Sequence, residues 1–310
     1  MKELVILSGK GGTGKTSISA AFAHLAPSRI LVDADVDAAN LHLVVPHKVF
    51  SSEAFSGGIL PELDLTLCTD CGTCVGICAF HAIKDTHPPE IDPVYCEGCG
   101  ICHDFCPAGA IGLKPRISGT WFHSSTAEGP MLHARLGIAE ENSGKLVSML
   151  RKRAGELGRQ GEYPIILVDG PPGIGCPVIA SLTGADLVLM VTEPTLSGRH
   201  DMLRLAKLCA RMRIPVCLTL NKWDLNPEMA HAMEEEARSR GMEILSSIPF
   251  DTEMTKAMAA GRSLTEVSSG PASQALMQLW QEVLSLLEKQ QKSSDGGLLI
   301  MESLKQETIP

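Results

Sequence analysis

The feature that most constrains the fold is a glycine-rich segment near the N-terminus. Gly9-Lys10-Gly11-Gly12-Thr13-Gly14-Lys15-Thr16 follows the apolar run Leu4–Leu7 and opens a helical pattern that extends to about Ala26. The segment matches G-x-x-x-x-G-K-[ST] in full. Its glycines let backbone N–H groups converge on phosphate oxygens at the positive end of a helix. We therefore expect Lys15 to reach the β- and γ-phosphates of a nucleotide and the Thr16 hydroxyl to bind Mg²⁺. An ordinary glycine-rich turn is the alternative.

Short apolar runs alternate with helical segments along most of the chain. The predicted strands are Leu4–Leu7, Arg29–Val32, Pro164–Val168, Asp186–Val191, Ile214–Leu220 and Glu243–Ile248. The later predicted helices are Gly144–Leu157, Gly198–Met212, Pro227–Arg240 and Ala272–Lys289. This alternation predicts an α/β fold with a mainly parallel sheet covered by helices on both faces. Residues 291–310 are predicted to be a flexible tail.

The alternation stops after Pro46, and a stretch rich in Gly, Ser, Pro and Cys extends to about Pro115. We predict a discontinuous nucleotide-binding domain, residues 1–57 and 116–290, interrupted by a small α+β insert over residues 58–115. An insert of this size buries little apolar area alone and needs additional cross-links.

Cysteines in the insert follow a regular pattern. Eight of the eleven lie in two runs with identical spacing, Cys68, Cys71, Cys74 and Cys78, then Cys96, Cys99, Cys102 and Cys106. Every cysteine recurs at an offset of 28, as does Ala82-Ile83 at Ala110-Ile111, which indicates an internal duplication. The N-terminus does not resemble a signal peptide, so we expect a cytoplasmic location in which thiols bind metal and form no disulfides. Structural zinc on paired C-x-x-C units is one possibility.

The two runs resemble the bacterial two-cluster ferredoxin, in which the fourth cysteine of each run serves the other cluster. The resemblance implies one [4Fe-4S] cluster on Cys68, Cys71, Cys74 and Cys106. It implies a second on Cys96, Cys99, Cys102 and Cys78. Cys78 is followed by Ala79, where the ferredoxin pattern usually has proline, but this removes no ligand.

Lys10 makes the phosphate loop unusual. With Lys15 it resembles the deviant Walker A motif, K-G-G-x-G-K-[ST], of the MinD/ParA ATPases, a group that includes the nitrogenase iron protein and the Mrp-type cluster carriers. The resemblance covers the chain outside the insert and implies a Mg²⁺-dependent ATPase. It also implies that Lys10 crosses a dimer interface to the partner's nucleotide.

Two aspartate segments fit the same family. In Leu31–Asp35, Asp33 matches the acidic residue near Mg²⁺ and Asp35 matches the residue that positions the attacking water. In Val168–Gly173, Asp169 matches the Walker B aspartate that holds Mg²⁺ through water. Either segment could instead cap the end of a strand.

Two patterns in the sequence bear on whether the site binds adenine or guanine, and they point in different directions. Asn221-Lys222-Trp223-Asp224 spells N-K-x-D, which reads guanine in many GTPases. In the family resembled, an asparagine at this place contacts adenine, and a later segment packs on the base. The resemblance therefore implies that Asn221 contacts adenine and that Pro249 and Asp251, within Ile248–Asp251, pack on the base. We favour ATP because of Lys10.

Three further cysteines and two histidines lie outside these motifs. Cys176 lies seven residues after Asp169, where the nitrogenase iron protein has a cluster ligand, but a small buried apolar role is favoured. Cys209 and Cys217 are expected in the core. His123 and His133 flank the insert as surface or core groups.

Together these features predict a nucleotide switch coupled to electron transfer, or to assembly or insertion of a metal or Fe-S cofactor in a client protein. We expect a homodimer or paralogous heterodimer on ATP binding, with a redox partner or metalloprotein client. The net charge of −9 argues against nucleic-acid binding. Leu298–Lys305 has one lysine and poorly matches a basic membrane-surface helix, so we expect no membrane contact. The alternatives are a MinD/ParA-like positioning or partitioning ATPase with structural or redox-sensing clusters, and a metal-inserting GTPase.

Overall fold

A computed structural model of the chain describes residues 1–137 and 143–306. Its strands are β1 Lys2–Ser8, β2 Arg29–Asp33, β3 Lys48–Leu63, β4 Ile83–Lys84, β5 Glu90–Ile91, β6 Ile111–Thr126, β7 Gly129–Leu136, β8 Ile165–Pro172, β9 Leu187–Thr192, β10 Val216–Leu220 and β11 Glu243–Ile244. Its helices are α1 Lys15–Leu25, α2 Thr73–Ile77, α3 Ile101–Asp104, α4 Ser143–Gln160, α5 Cys176–Leu182, α6 Leu196–Met212, α7 Pro227–Ser239, α8 Thr252–Ala259, α9 Leu264–Val267 and α10 Pro271–Gln306. Within the described residues, no helix is both long and apolar enough to cross a bilayer.

Nine strands form one sheet in the order β11-β10-β9-β1-β8-β2-β7-β6-β3. The seven strands from β11 to β7 are parallel, and β6 and β3 add two antiparallel pairings at one edge. The predicted α/β fold with a mainly parallel sheet is thus confirmed. Because β1, β8 and β2 are neighbours, the phosphate loop, Asp169 and Asp33 all lie at the carboxyl edge of the sheet, where Asp33 pairs with Asp169 in register.

Apolar helices cover the central strands on both faces. All four residues of the run Leu4–Leu7 are fully buried, as expected for a strand with a helical layer on each side. Leu4 and Ile6 face the layer that contains α1 and α10, where the rings of Phe22 and Trp280 lie 4.9 Å apart. Val5 and Leu7 face the layer formed by α4, α6 and α7.

The last helix is longer than predicted. We expected it to end at Lys289 and residues 291–310 to be a flexible tail, but α10 continues to Gln306. The added stretch contains no proline, and extending an existing helix gains one hydrogen bond per residue without a new nucleation step. Residues 307–310 lie outside the described residues.

Three strands of the nine-stranded sheet were missing from the prediction. β7 pairs with β2 in parallel, β6 pairs with β7 in antiparallel fashion, and β3 pairs antiparallel with β6 along its whole length. The pairing of β3 with β6 shifts register three times, between Val49 and Ser51 and around Ser56. Two of the shifts insert an extra residue in β3 and one inserts an extra residue in β6, and each insertion interrupts the regular alternation by which a strand is recognised.

Part of this hairpin projects beyond the rest of the sheet. Gly119 of β6 pairs with Leu136 at the carboxyl end of β7, so the residues of β6 that precede Gly119 extend past that edge. Residues 111–117 pair only with residues 56–63 of β3, and we call this two-stranded ribbon the arm. At about 3.3 Å per residue the arm is roughly 23 Å long. The arm therefore extends past the same edge of the sheet as the one that carries the phosphate loop.

The cysteine-rich segment, residues 64–110, forms a small module at the tip of the arm. The predicted insert boundaries, 58 and 115, fall within the strands of the arm. The module has a small core of Ile83 and Cys102, and Ile111 of the arm completes it. It also packs back on the arm: the Arg116 guanidinium donates to the Cys96 carbonyl at 2.7 Å, and a Cβ added at Gly98 would lie 2.4 Å from the Ile59 carbonyl oxygen.

Candidate nucleotide site and cysteine module

The phosphate loop joins β1 to α1 and depends on glycine at two close approaches. Gly14 has a φ of 90°, and a Cβ at this position would lie 2.2 Å from the amide nitrogen of Asn221. A Cβ at Gly9 would lie 2.2 Å from the Cβ of Asp201 in α6. Larger residues at these two positions would displace the loop from the strand ends that surround it.

Lys15 is almost completely buried among carboxylates. Its Nζ lies 2.9 Å from Asp169 Oδ1 and 3.6 Å from Asp35 Oδ2. Burial alone would lower the pKa of Lys15, but the negative charges of Asp169, Asp35 and Asp33 outweigh it and raise the pKa. The side chain therefore stays charged, as binding to phosphate requires.

Asp169 connects strand β8 to the first turns of α1. Besides Lys15, its carboxylate accepts hydrogen bonds from Thr16 Oγ1 at 2.9 Å and from Ser19 Oγ at 2.7 Å. Ser19 was missed in the sequence. Ser19 lies three residues after Thr16 on the same face of α1, and this spacing would have been enough to predict it.

Asp33 and Asp35 add two more acidic groups beside Asp169. Asp33 is fully buried, and burial, followed by the charge of Asp169, raises its pKa to about 8 against the opposing effect of Lys15. Burial is also the main cause that raises the pKa of Asp35, with Lys15 opposing it. One buried lysine thus faces three acidic side chains, an excess of oxygen donors and negative charge that suits a divalent cation.

The donor set fits Mg²⁺ in particular. Among the described residues, no three or more His, Cys, Asp or Glu side chains converge directly on one point as the ligands of a single ion would. Mg²⁺ usually keeps several waters and takes only one or two carboxylates together with phosphate oxygens. Thr16, Asp33 and Asp169 could supply such a shell.

Lys10 is held within its own chain. Its Nζ lies 2.7 Å from Glu193 Oε1 and donates to Ser197 Oγ at 3.0 Å. Lys222 approaches the other oxygen of Glu193 at 3.4 Å. Partial burial would raise the pKa of Glu193, but contacts with Lys10 and Lys222 outweigh it and lower the pKa. Glu193 and Ser197 were also missed, because neither lies in a motif.

The predicted base residues lie at the same edge of the sheet, but they make contacts within the protein. The Asn221 amide donates to the Thr13 carbonyl at 2.8 Å and so braces the phosphate loop. Asp224 Oδ1 accepts from the Phe250 backbone at 2.7 Å. Asp251, which follows Pro249 and Phe250, caps α8 by accepting from the Glu253 backbone at 2.9 Å.

In the module, the structure brings together one complete predicted set of cysteines. A single small pocket is lined by Cys68, Cys71, Cys74 and Cys106, with Leu63 and Ile111 among the apolar residues beside them. In the second set, Cys102 lies near Cys96 and Cys99. Burial is the main cause that raises the pKa of Cys102, and the two neighbouring thiols raise it further.

Backbone contacts to sulfur follow the duplication. The Ala82 N–H donates to Cys78 Sγ at 3.4 Å, and the Ala110 N–H donates to Cys106 Sγ at 3.3 Å. These two donor and acceptor pairs are related by the same offset of 28 residues. The repeat in sequence is therefore also a repeat in local structure.

The remaining cysteines differ from one another. Cys209 and Cys217 are fully buried, as expected, and burial raises the pKa of Cys209 to about 12. Cys176 is exposed at the start of α5, so the favoured interpretation of it as a buried apolar residue is wrong. It follows the glycine-rich loop after β8, which carries it away from the core.

Three histidines that the sequence did not pair form a cluster beside Asp33. The ring of His133 lies 5.1 Å from His42 and 5.4 Å from His47. His133 Nε2 also lies 3.2 Å from Ser124 Oγ. Burial, followed by the two neighbouring rings, lowers the pKa of His133 to about 4. His123 contacts the exposed ring of Phe50 instead. His42 and His47 both lie between β2 and β3, whereas His133 lies far along the chain in β7, so no local spacing relates it to them.

Comparison with known proteins gives matches over most of the chain. The family described as the CobQ/CobB/MinD/ParA nucleotide-binding domain matches residues 4–264. The uncharacterized protein MJ0578 of Methanocaldococcus jannaschii is 32% identical over 288 residues, which cover 91% of this chain and 96% of that protein. A second protein of that organism, MJ0579, is 28% identical over 116 residues, which cover 37% and 42% of the two chains.

A solved structure with a similar fold is the septum site-determining protein MinD of Pyrococcus horikoshii, complexed with Mg-ADP. It superposes with a TM-score of 0.56 at 18% identity, over 93% of this chain and 98% of that one. At this identity the likeness shows a shared fold.

Proposed function

Because this chain belongs to the CobQ/CobB/MinD/ParA family of nucleotide-binding domains, we propose that it is a Mg²⁺-dependent ATPase whose nucleotide state controls two iron–sulfur clusters. One observation carries the proposal: a buried Lys15–Asp169–Thr16 contact and an arm with paired cysteines at its tip lie at the same edge of one sheet. We assign the first to nucleotide hydrolysis and the second to cluster chemistry.

In the hydrolytic step, Lys15 and the backbone N–H groups of the phosphate loop bind the β- and γ-phosphates. Thr16, Asp33 and Asp169 would hold Mg²⁺, which when bound would supply positive charge beside the phosphate oxygens. Asp35, whose carboxylate lies 3.6 Å from Lys15 Nζ, orients the attacking water. Catalysis here is positioning and charge stabilisation by residues that are already in place.

Adenine is the preferred base in this proposal. The MinD structure with the similar fold is complexed with Mg-ADP. In addition, one carboxylate oxygen of Asp224, which would read guanine in an N-K-x-D site, already accepts a hydrogen bond from the Phe250 backbone. A metal-inserting GTPase is the alternative, and base preference separates the two.

Lys10 acts across a dimer interface. In the single chain it is bound to Glu193 and Ser197, and on ATP binding it leaves them to contact the nucleotide of a second subunit. That subunit is a second copy or a paralogue. Two related proteins in Methanocaldococcus jannaschii are consistent with the latter.

The cysteines are assigned to two [4Fe-4S] clusters, the first on Cys68, Cys71, Cys74 and Cys106 and the second on Cys96, Cys99, Cys102 and Cys78. The pocket lined by the first set and the N–H donors to Cys78 and Cys106 support this assignment. Four thiolates on a single Zn²⁺ would have sulfurs only about 3.8 Å apart, from Zn–S bonds of about 2.3 Å in a tetrahedron. In a cubane each thiolate would bind a different iron, so four cysteines placed for a cluster would hold their sulfurs farther apart than four cysteines placed for one Zn²⁺.

With both parts active, the bound clusters would transfer electrons to a redox partner, or would help to assemble or insert a metal or Fe-S cofactor in a metalloprotein client. The fold likeness to MinD favours one second candidate, a positioning or partitioning ATPase with structural or redox-sensing clusters. In that case nucleotide state would leave the clusters unchanged.

The proposal is tested on anaerobically purified protein by nucleotide turnover and metal analysis. We expect Mg²⁺-dependent hydrolysis of ATP in preference to GTP, and about eight iron and eight sulfide per chain for two cubanes. A clear preference for GTP would support the metal-inserting GTPase. Stoichiometric zinc without sulfide would rule out the cluster assignment.

A further inference from the structure

We propose that the arm carries the cysteine module across the dimer interface and packs it against the second copy of this chain. This inference rests on the proposed dimerisation through Lys10 and goes beyond it. It assigns exposed apolar side chains of the arm and module to contacts between subunits.

The direction of the arm is the first reason. The phosphate loop and Lys10 follow β1 at the carboxyl edge of the parallel sheet, and residues 111–117 of β6 pass beyond that same edge. A subunit that receives Lys10 must sit directly beyond this edge. The arm, roughly 23 Å long by its residue count, is comparable in length to a small domain. It must therefore extend alongside the second copy.

In the part of the chain that the structure describes, no third strand pairs with the arm, although the module packs on Ile59 and Arg116, and Lys145 donates to the Gly57 carbonyl. A two-stranded ribbon is only marginally stable in water unless a third strand or another element packs on it. The sheet supplies neither to this part of the hairpin, because β3 is the edge strand and β7 ends at Leu136. Yet the ribbon presents apolar side chains to solvent, with Ile117 58% exposed and Leu113 40% exposed.

The module at the tip of the arm also exposes apolar side chains to solvent. Five of its large apolar side chains are more than half exposed, namely Leu65, Leu67, Val94, Tyr95 and Phe105. Leu67 and Tyr95 are equivalent in the duplication, since each directly precedes the first cysteine of its run. Aromatic side chains such as Tyr95 and Phe105 are enriched at protein interfaces relative to the rest of a protein surface.

The facing surface of the second copy offers matching chemistry. At the carboxyl edge, Leu196 is 74% exposed and adjoins Ser197, which binds Lys10. Ile174 and Ile179 are partly exposed in the loop and helix that follow β8. A redox partner could also use the module, but the arm points it toward the face from which Lys10 acts. We therefore assign the surface to a second copy.

The test is photo-crosslinking within the full-length, cluster-loaded protein. A benzophenone amino acid is placed at Ile117 on the arm, at Tyr95 on the module, or at the exposed control position Glu162, which precedes β8 at the opposite edge. Isotopically light and heavy chains are mixed with a slowly hydrolysed ATP analogue and irradiated. Mass spectrometry then separates links between chains from links within one chain. Sedimentation in the same samples reports whether a dimer forms.

We expect light–heavy links from positions 117 and 95 only with the ATP analogue, and none from position 162. A dimer without links from either position would overturn the arm inference and leave the proposed dimerisation intact. Absence of any dimer would overturn both. As a second measurement, Ile117→Ser should weaken the dimer about tenfold, whereas Ile117→Leu should leave its affinity within about twofold. Equal affinities of these two variants would also contradict the inference.

Discussion

Two lysines of the phosphate loop have different surroundings, and the difference explains their roles. Lys15 is buried and fixed by Asp169 and Asp35, so it is organised for phosphate before any nucleotide arrives. Lys10 is about one-third exposed and is paired with Glu193 at the surface. A pair of this kind contributes little to stability, so it can be exchanged for another contact at small cost.

Removing the charge of Glu193 is therefore expected to favour the dimer. In Glu193→Gln, Lys10 no longer has an ionic partner in its own chain, and a surface pair of this kind is worth about 0.5–1 kcal/mol. The ATP-dependent dimer should become about two- to fivefold tighter, measured by sedimentation. Glu253→Gln, which breaks an exposed pair with Lys256 away from the loop, is the control and should change nothing. A weaker dimer in Glu193→Gln would mean that Glu193 acts in the assembled state.

The site residues that a motif fixes are predictable from the sequence, whereas those that only the fold brings to the site are not. Lys15, Thr16 and Asp169 are found because phosphate and Mg²⁺ demand particular side chains at set spacings. Glu193 and Ser197 follow a different strand from the loop, and only the order of strands brings them to Lys10. The role of Asn221 on the loop depends likewise on β10, two strands away from β1.

Among the elements, the cysteine runs of the module divide into two separately testable sets. Cys106→Ser removes a thiolate from the pocket that it shares with Cys68, Cys71 and Cys74. We expect the iron content of the anaerobically purified variant to fall from about eight to about four per chain, with the other cubane retained. Iron and sulfide analysis with electron paramagnetic resonance measures this.

The matched control for that variant is Cys176→Ser, because Cys176 is an exposed cysteine outside the module. It should keep the full iron content. If Cys106→Ser retained about eight iron, or if Cys176→Ser lost iron to the same extent, the assignment of ligands would be wrong.

The histidine cluster joins the segment after β2 to strands β6 and β7, and it makes this junction sensitive to acid. The pKa of His133 is lowered from 6.5 to about 4 on folding, so the folded state favours the neutral ring. Its contribution to stability is complete above pH 6.5 and is lost as the pH falls from there toward 4. Thermal unfolding from pH 7.5 to 4.5 should show a smaller loss of stability in His133→Phe than in the native protein. An equal loss in both would assign the acid sensitivity to other groups.

The strands that carry the module show where sequence patterns fail. The central strands were found because burial on both faces gives continuous apolar runs. β3 and β6 were not, since register shifts interrupt the alternation of both strands and the two pair at a distance of about 60 residues along the chain. Their stability comes from long-range pairing, which a local pattern does not record.

At the scale of the whole molecule, one sheet joins a nucleotide site to a projecting pair of cysteine runs. β2 ends in Asp33 beside Lys15, β7 pairs with β2, and β6 continues from β7 into the arm. Asp33, which would sense a bound nucleotide, thus lies two strands away from β6, the strand that extends into the arm. The duplication and the phosphate loop each predicted one half of this arrangement, whereas their common edge emerged only from the strand order.

The central claim is that nucleotide state controls the clusters, and the reduction potential of the clusters tests it most directly. Potentials are measured by anaerobic redox titration of the native protein with Mg-ADP and with a slowly hydrolysed ATP analogue plus Mg²⁺. The account predicts different potentials in the two states, and no difference in Lys10→Ala, in which the ATP-bound dimer cannot form. Identical potentials in both nucleotide states of the native protein, with the dimer shown to form, would contradict it.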